Sequence, residues 1–302
     1  MFGGAVQWDP LMCLNEEPTP QCLLRVKKDI TDFNASPPAG LLIAPEEDDI
    51  TKIHALVVGP SGTPYEGGFF QFYMKFPPTY PISPPKVRIM TTDAGRVGFN
   101  PNLYACGKVC LSILGTWAGP PWSPAQGLES VLISVQSLMN EKPYHNEPAF
   151  QNRERAPGEA DRYNECIRHE TIRVAVCGQV EAALKESPDC PAVFREKILQ
   201  SFSESYDKYE EIVTGKLHLT GTTVTTFGFA NMKYQYENLL TRMRGLRDQV
   251  KQKKEAAAAA AAEAATAAAA EAATAATAAA EAAAAEAAKA ADNAAAATNP
   301  VN

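Results

Sequence analysis

Apolar residues recur at helical spacing over residues 19–33, TPQCLLRVKKDITDF, where Leu23, Val26, Ile30 and Phe33 fall on one stripe. Thr19 followed by Pro20 marks the start, since the hydroxyl can cap and proline suits the first helical position. The texture then changes. LLIAP (41–45), ITKIHALVVG (50–59), FFQFYMKF (69–76) and KVRIMT (86–91) are rich in β-branched and aromatic residues and predict strands. Their connections, among them PSGTPYEGG and PPTYPISPP, are too short for crossover helices, so the four strands form an antiparallel meander. Residues 92–124 have no period, yet are too apolar for disorder and read as an ordered loop region. A helical pattern resumes over 125–139, with Leu128, Val131, Leu132, Val135 and Leu138 on one face. Ser123 is the expected cap of this helix and Pro124 its first residue. Further stripes follow: Tyr163, Cys166, Ile167, Val174 and Cys177; then Phe194, Ile198, Phe202, Tyr206, Tyr209 and Val213; then a helix over 231–252. Strands first and helices later predict an α+β fold.

Residues from 255 onward are nearly all alanine with scattered glutamate and threonine. Alanine favours helix, but this stretch has no stripe that would build a core. The expected organisation is an N-terminal arm over 1–18, a core over 19–156, a helical extension packed on it over 157–252, and an alanine-rich tail over 253–302. Lys+Arg is 28 against 35 Asp+Glu, a net charge of −7, which argues against a general nucleic-acid binder. The glutamates of the alanine tail argue against a membrane span, and the N-terminus lacks the form of a secretory signal. Cytoplasm and nucleus are the expected compartments. Seven scattered cysteines then read as reduced thiols. Only Cys106 and Cys110 are close, and C-x-x-x-C without a second pair is not a zinc spacing.

The aperiodic region contains FNPNLYACGKVCLSILGTW, with two thiols and no histidine beside them. A thiol has some thiolate near neutral pH and is a good nucleophile without a strong base. It suits exchange between sulfurs and attack on activated carbonyls, where placement and oxyanion stabilisation matter most. A cysteine hydrolase would need a positioned histidine. The chain offers His54, His145, His169 and His218, of which only His145 lies in a loop that could approach.

The segments YEGGFF, YPISPPKV, NPN…GKVCLSILGTW…WSPAQ and PYHNEPAF, in this order, resemble the ubiquitin-conjugating enzyme family over roughly residues 19–250. The resemblance implies an N-terminal helix, a four-stranded antiparallel sheet and C-terminal helices, here with a helical C-terminal extension as in the large members. It implies a transferase that carries ubiquitin, or another ubiquitin-like modifier, as a thioester on Cys110. Asn102 is implied as oxyanion donor or loop holder, although Asn100 stands where the family usually has histidine. Among Glu147, His145 and Asn146, one is implied to orient or deprotonate the incoming lysine, and Glu147 before Pro148 fits best. Arg25, Lys27 and Lys28 resemble the region that meets the activating enzyme; Ile82, Pro124 and Ala125 resemble the platform for ligases. No bound cofactor or metal is implied, and ATP is used upstream by the activating enzyme. A non-catalytic module on the same fold is the alternative, against which the presence of both Cys110 and Asn102 argues. Cys106 is expected to be a bystander.

Overall fold

In the computed structural model, which describes residues 8–297, the chain begins its regular structure with α1, Pro20–Ala35. The Thr19 hydroxyl caps it by accepting from the Cys22 amide (3.2 Å). Cys22, Val26 and Phe33 form its buried face, with Leu23 only half-buried. The strands β1 (Leu41–Pro45), β2 (Lys52–Val58), β3 (Phe69–Lys75) and β4 (Lys86–Ile89) pair antiparallel in sequence order. The register places Val57 opposite both Leu41 and Phe70, and Phe72 opposite Ile89. Alternation sends Phe70, Phe72 and Met74 into one core with Leu128, Val131, Leu132 and Val135 of α2 (Leu128–Leu138).

Every residue of β3 is buried, so its second face is covered too. Part of that cover is the N-terminal segment around Pro10–Met12, and the rest is the C-terminal extension. There α3 (Glu159–Glu170) runs through a π-helical segment, Thr171–Gly178, into α4 (Gln179–Leu184), and α5 (Ala192–Gly215) follows. Gln71 of β3 donates to Gln179 (2.6 Å), and Tyr209 of α5 donates to the Gly67 carbonyl just before β3 (2.8 Å). A two-stranded hairpin, β5 (Thr223–Thr226) and β6 (Phe229–Lys233), precedes α6 (Tyr236–Ala297). Contacts divide the chain into two units at Arg247; the second consists of α6 from Asp248 onward and residues 298–302, outside the described range. No described helix is long and apolar enough to cross a membrane.

Three expectations change. Of the arm expected over 1–18, residues 1–7 lie outside the described residues, but 8–13 are docked. Asp9 pairs with Arg88 of β4, Trp8 lies 5.8 Å from the same guanidinium, and Cys13 is buried. Ser123 and Pro124 do not start α2, whose N-cap is Gly127. Arg25 of α1 explains this: it donates to the carbonyls of Pro124 (2.8 Å) and Gln126 (2.6 Å) and so holds a turn where the helix would have begun. Third, the helix expected over 231–252 starts only at Tyr236, because residues up to Lys233 form β6.

Lys75 is wholly buried and donates to Asp49 (2.9 Å) and Thr51 (2.6 Å). Burial would raise the Asp49 carboxyl, but hydrogen bonds from Thr51 and Lys75 outweigh it and hold the group at about 2. A depressed folded pKa gives stability that is present above the unfolded value and lost as pH falls through about 2. Asp49→Asn leaves Lys75 with a weaker partner and is expected to cost about 3 kcal/mol at pH 7. Denaturant titrations at several pH values should show that gap closing toward acid; a gap that persists at the lowest pH contradicts the assignment.

Candidate active site

Residues 100–110 fold into two linked turns at the edge of the sheet. Leu103 donates to the Asn100 carbonyl (2.9 Å) around Pro101, which favours such a turn. Gly107 donates to the Tyr104 carbonyl (2.9 Å) and accepts from Ile89 of β4 (2.9 Å). Its φ of +97° and the Arg88 side chain, 2.8 Å from where a Cβ would sit, leave room only for glycine. These turns bring residue 110 back to residue 102.

Cys110 and Asn102 clasp each other. The Cys110 amide donates to the Asn102 carbonyl (2.8 Å), and Asn102 Nδ2 donates to the Cys110 carbonyl (3.0 Å). Asn100 holds the clasp from behind. Its Oδ1 accepts from the Asn102 amide (2.9 Å), and its Nδ2 donates to the Tyr65 hydroxyl (2.9 Å) and the Leu138 carbonyl (2.8 Å). Tyr65 is fully buried and donates onward to the Phe99 carbonyl (2.7 Å). An asparagine thus joins the loop to the end of α2 through a planar, four-sided donor–acceptor set. Thr116 closes the other side: its hydroxyl accepts from the Leu111 amide (2.9 Å) and donates to the Val109 carbonyl (2.6 Å).

The Cys110 thiol is 1 % exposed, and burial pushes its pKa above the usual thiol value. The Tyr104 hydroxyl and the Lys108 ammonium pull the value back in part. No histidine is among the groups acting on it. Tyr104 was not foreseen from the sequence; the aperiodic loop gave no sign of which way its ring would turn. Burial and the neighbouring thiol push its phenol up to about 12, so it remains a donor across the working range. Cys106, by contrast, is exposed on the loop. Alkylation with iodoacetamide at pH 7 should therefore label Cys106 before Cys110. Labelling of Cys110 should rise about tenfold per pH unit, because the thiolate is the reactive form. Peptide mass spectrometry reads both sites, and equal labelling at pH 7 contradicts the burial of Cys110.

The three candidates in PYHNEPAF separate. His145 Nδ1 lies 2.6 Å from the Phe150 carbonyl, and the ring is occupied in shaping its own loop. Asn146 donates to the Leu138 carbonyl (3.0 Å) and to Asn100 Oδ1 (3.3 Å), as part of the clasp support. Glu147 is half-buried, no described residue hydrogen-bonds its carboxylate, and it acts electrostatically on Tyr104. It is the carboxylate of the three, and it directly follows Asn146 of the clasp support in the chain.

The surface candidates also separate. Arg25 directs its guanidinium inward, to Asp29 (2.8 Å) and the 124–126 turn, whereas Lys27 is exposed and Lys28 pairs with Asp32 on the surface. Ile82 is 71 % exposed at the tip of the proline loop, and Pro124 and Ala125 are exposed across from it. Trp122 links the two loops by donating to the Pro81 carbonyl (2.7 Å). Among the described residues, no group of three or more His, Cys, Asp or Glu side chains could hold a metal ion.

A family profile described as ubiquitin-conjugating enzyme matches residues 25–170. Several curated proteins are similar over most of their length. The chain is 50 % identical to zebrafish (Danio rerio) ubiquitin-conjugating enzyme E2 Z over 82 % of this chain and 76 % of that protein. It is 53 % identical to the human (Homo sapiens) protein of that name over 80 % of this chain and 68 % of the other. A human dual E2 ubiquitin-conjugating enzyme/E3 ubiquitin-protein ligase, BIRC6, is 39 % identical over 50 % of this chain, which corresponds to 3 % of its own length.

Proposed function

The chain belongs to the ubiquitin-conjugating enzyme family, and we propose that it accepts ubiquitin, or another ubiquitin-like modifier, from an activating enzyme as a thioester on Cys110. It then passes the modifier to substrate lysines, directly or with a ligase. The observation that carries this reading is the clasp: a buried cysteine whose backbone is held on both sides by Asn102, with no histidine among the groups acting on its thiol.

In the first step the Cys110 thiolate attacks the carbonyl carbon of the incoming thioester. A tetrahedral oxyanion forms and collapses as the activating enzyme's thiolate leaves. Both sulfurs are good nucleophiles and good leaving groups, so no strong base is required. In the second step a neutral lysine amine attacks the Cys110 thioester and the Cys110 thiolate departs. The amine must lose a proton, and Glu147 is the group positioned to accept or order it. Asn102 has two N–H donors; one holds the Cys110 carbonyl, and the second is the donor for the oxyanion. ATP enters upstream, at the activating enzyme. Lys27 and Lys28 on α1 are the proposed contact for that enzyme, and Ile82 with Pro124 and Ala125 the proposed contact for ligases.

The test is a charging reaction with activating enzyme, ATP and ubiquitin. A higher-mass adduct that disappears with reductant is expected. If no activating enzyme and no modifier yields such an adduct, the non-catalytic module becomes the better account.

A further inference from the structure

Glu147 sits between two aromatic anchors, Tyr144 and Phe150, whose rings stack 5.0 Å apart. Tyr144 is completely buried and its hydroxyl donates to Glu159 of α3 (2.9 Å) and accepts from the Arg155 amide (3.1 Å). The anchors do not close on themselves. The open side is filled by Phe227, at the two-residue turn of the β5–β6 hairpin, more than 70 residues further along the chain. Its ring meets Phe150 edge-on at 5.2 Å and Tyr144 at 6.5 Å, and the Arg155 guanidinium lies over both Phe150 (5.5 Å) and Phe227 (5.8 Å).

The hairpin is itself fastened to this spot. Gly228 takes a φ of +74°, which lets the turn close directly after Phe227. Thr226 is buried and its hydroxyl donates to the Glu159 carboxylate (3.4 Å). The hydrogen bonds from Arg155, with that from Tyr144 adding to them, hold Glu159 at about 2, so it stays charged at any working pH. One anion thus binds the tip of the extension and the base of the Glu147 loop together.

We infer that the Phe227 hairpin turn is a positioning element for lysine transfer: it fixes the loop 143–150, which Asn146 ties to Asn100 of the clasp support (3.3 Å), and thereby the place of the adjacent Glu147 carboxylate. This rests on the thioester function proposed above. Phe227 touches neither the thiol nor the clasp, so it acts through Glu147 and not on the nucleophile. Misplacing a group by about 1 Å can cost a large factor in rate, and a loop that has lost one wall of its aromatic cage has that freedom.

The experiment separates charging from discharge. Wild type, Phe227→Ala, Phe227→Leu, Glu147→Gln and the double variant Phe227→Ala/Glu147→Gln are charged, the activating step is quenched, and free lysine is added. Phe227→Ala is expected to charge within about twofold of wild type and to discharge about tenfold more slowly. Phe227→Leu, which keeps an apolar wall, should recover most of that loss and decides the matter if the alanine variant does not fold. In the Glu147→Gln background Phe227→Ala should add little further loss, since the two act through one group. Discharge at the wild-type rate, an equal loss in charging and discharge, or a full additional loss in the double variant would each overturn the inference. Failure of wild type to charge at all is a different result and removes the proposed function itself.

Discussion

Replacing Cys110 with alanine is expected to abolish the reductant-sensitive adduct completely, while Cys106→Ala leaves it at the wild-type level. The effect is all-or-none because the proposed bond is made to the Cys110 sulfur and no neighbouring group is placed to substitute for it. Cys106 is the nearest rival in sequence, but it stands exposed on the loop, outside the clasp formed by Asn102 and Cys110. The folded state should barely change, since alanine removes only the sulfur atom, and the backbone bonds of residue 110 to Asn102 remain. Equal thermal melting of wild type and variant, with the adduct present in one and absent in the other, is the expected pair of results. An adduct that persists in Cys110→Ala and vanishes in Cys106→Ala would move the nucleophile to the other thiol.

Asn102→Ala is expected to slow lysine transfer about a hundredfold, the loss that follows removal of one preorganised oxyanion donor. Charging should fall much less, to within about threefold, because a thioester leaving group already favours collapse. The variant also strips the Cys110 carbonyl of a buried partner, at a cost of about 1–3 kcal/mol in stability. That second effect provides the control. Asn100→Ala breaks the supporting bonds to Leu138 and Tyr65 and should destabilise at least as much. Its transfer rate, compared at a temperature where both variants are folded, should fall less than that of Asn102→Ala. Pulse-chase transfer to free lysine measures this directly. A transfer rate within a few-fold of wild type for Asn102→Ala would leave Asn102 as a loop holder only.

The elements with a strong local signal were legible in the chain. Thr19-Pro20 caps α1, the four β-branched and aromatic runs are the four strands, and short connections do make a meander. What escaped depends on partners distant in sequence. Ser123-Pro124 has the chemistry of a helix start, yet the guanidinium of Arg25 takes the carbonyls that such a start would use. The hairpin TTVTT-FG-FANMK carries a turn signal in Phe227-Gly228, but its strands are short and half polar, and the helical stripe that follows masks the second one. At the site, the sequence offered Glu147, His145 and Asn146, with Glu147 favoured only by its place before Pro148. Only geometry separates a histidine bound to its own loop and an asparagine bound to the clasp from a carboxylate that no described residue hydrogen-bonds.

The double burial of β3 sets a boundary that the family profile does not. The profile ends at residue 170, the last residue of α3, just before the π-helical turn, α4 and α5 that cover Phe69, Gln71 and the approach to β3. A chain cut there would keep every residue of the proposed chemistry and yet expose an aromatic sheet face to water, a surface of the kind that drives self-association. Recognition of the family and autonomy of folding therefore have different limits in this protein. The smallest cooperative unit reaches through α5, and the amides of β3 should be among the last in the molecule to exchange with solvent.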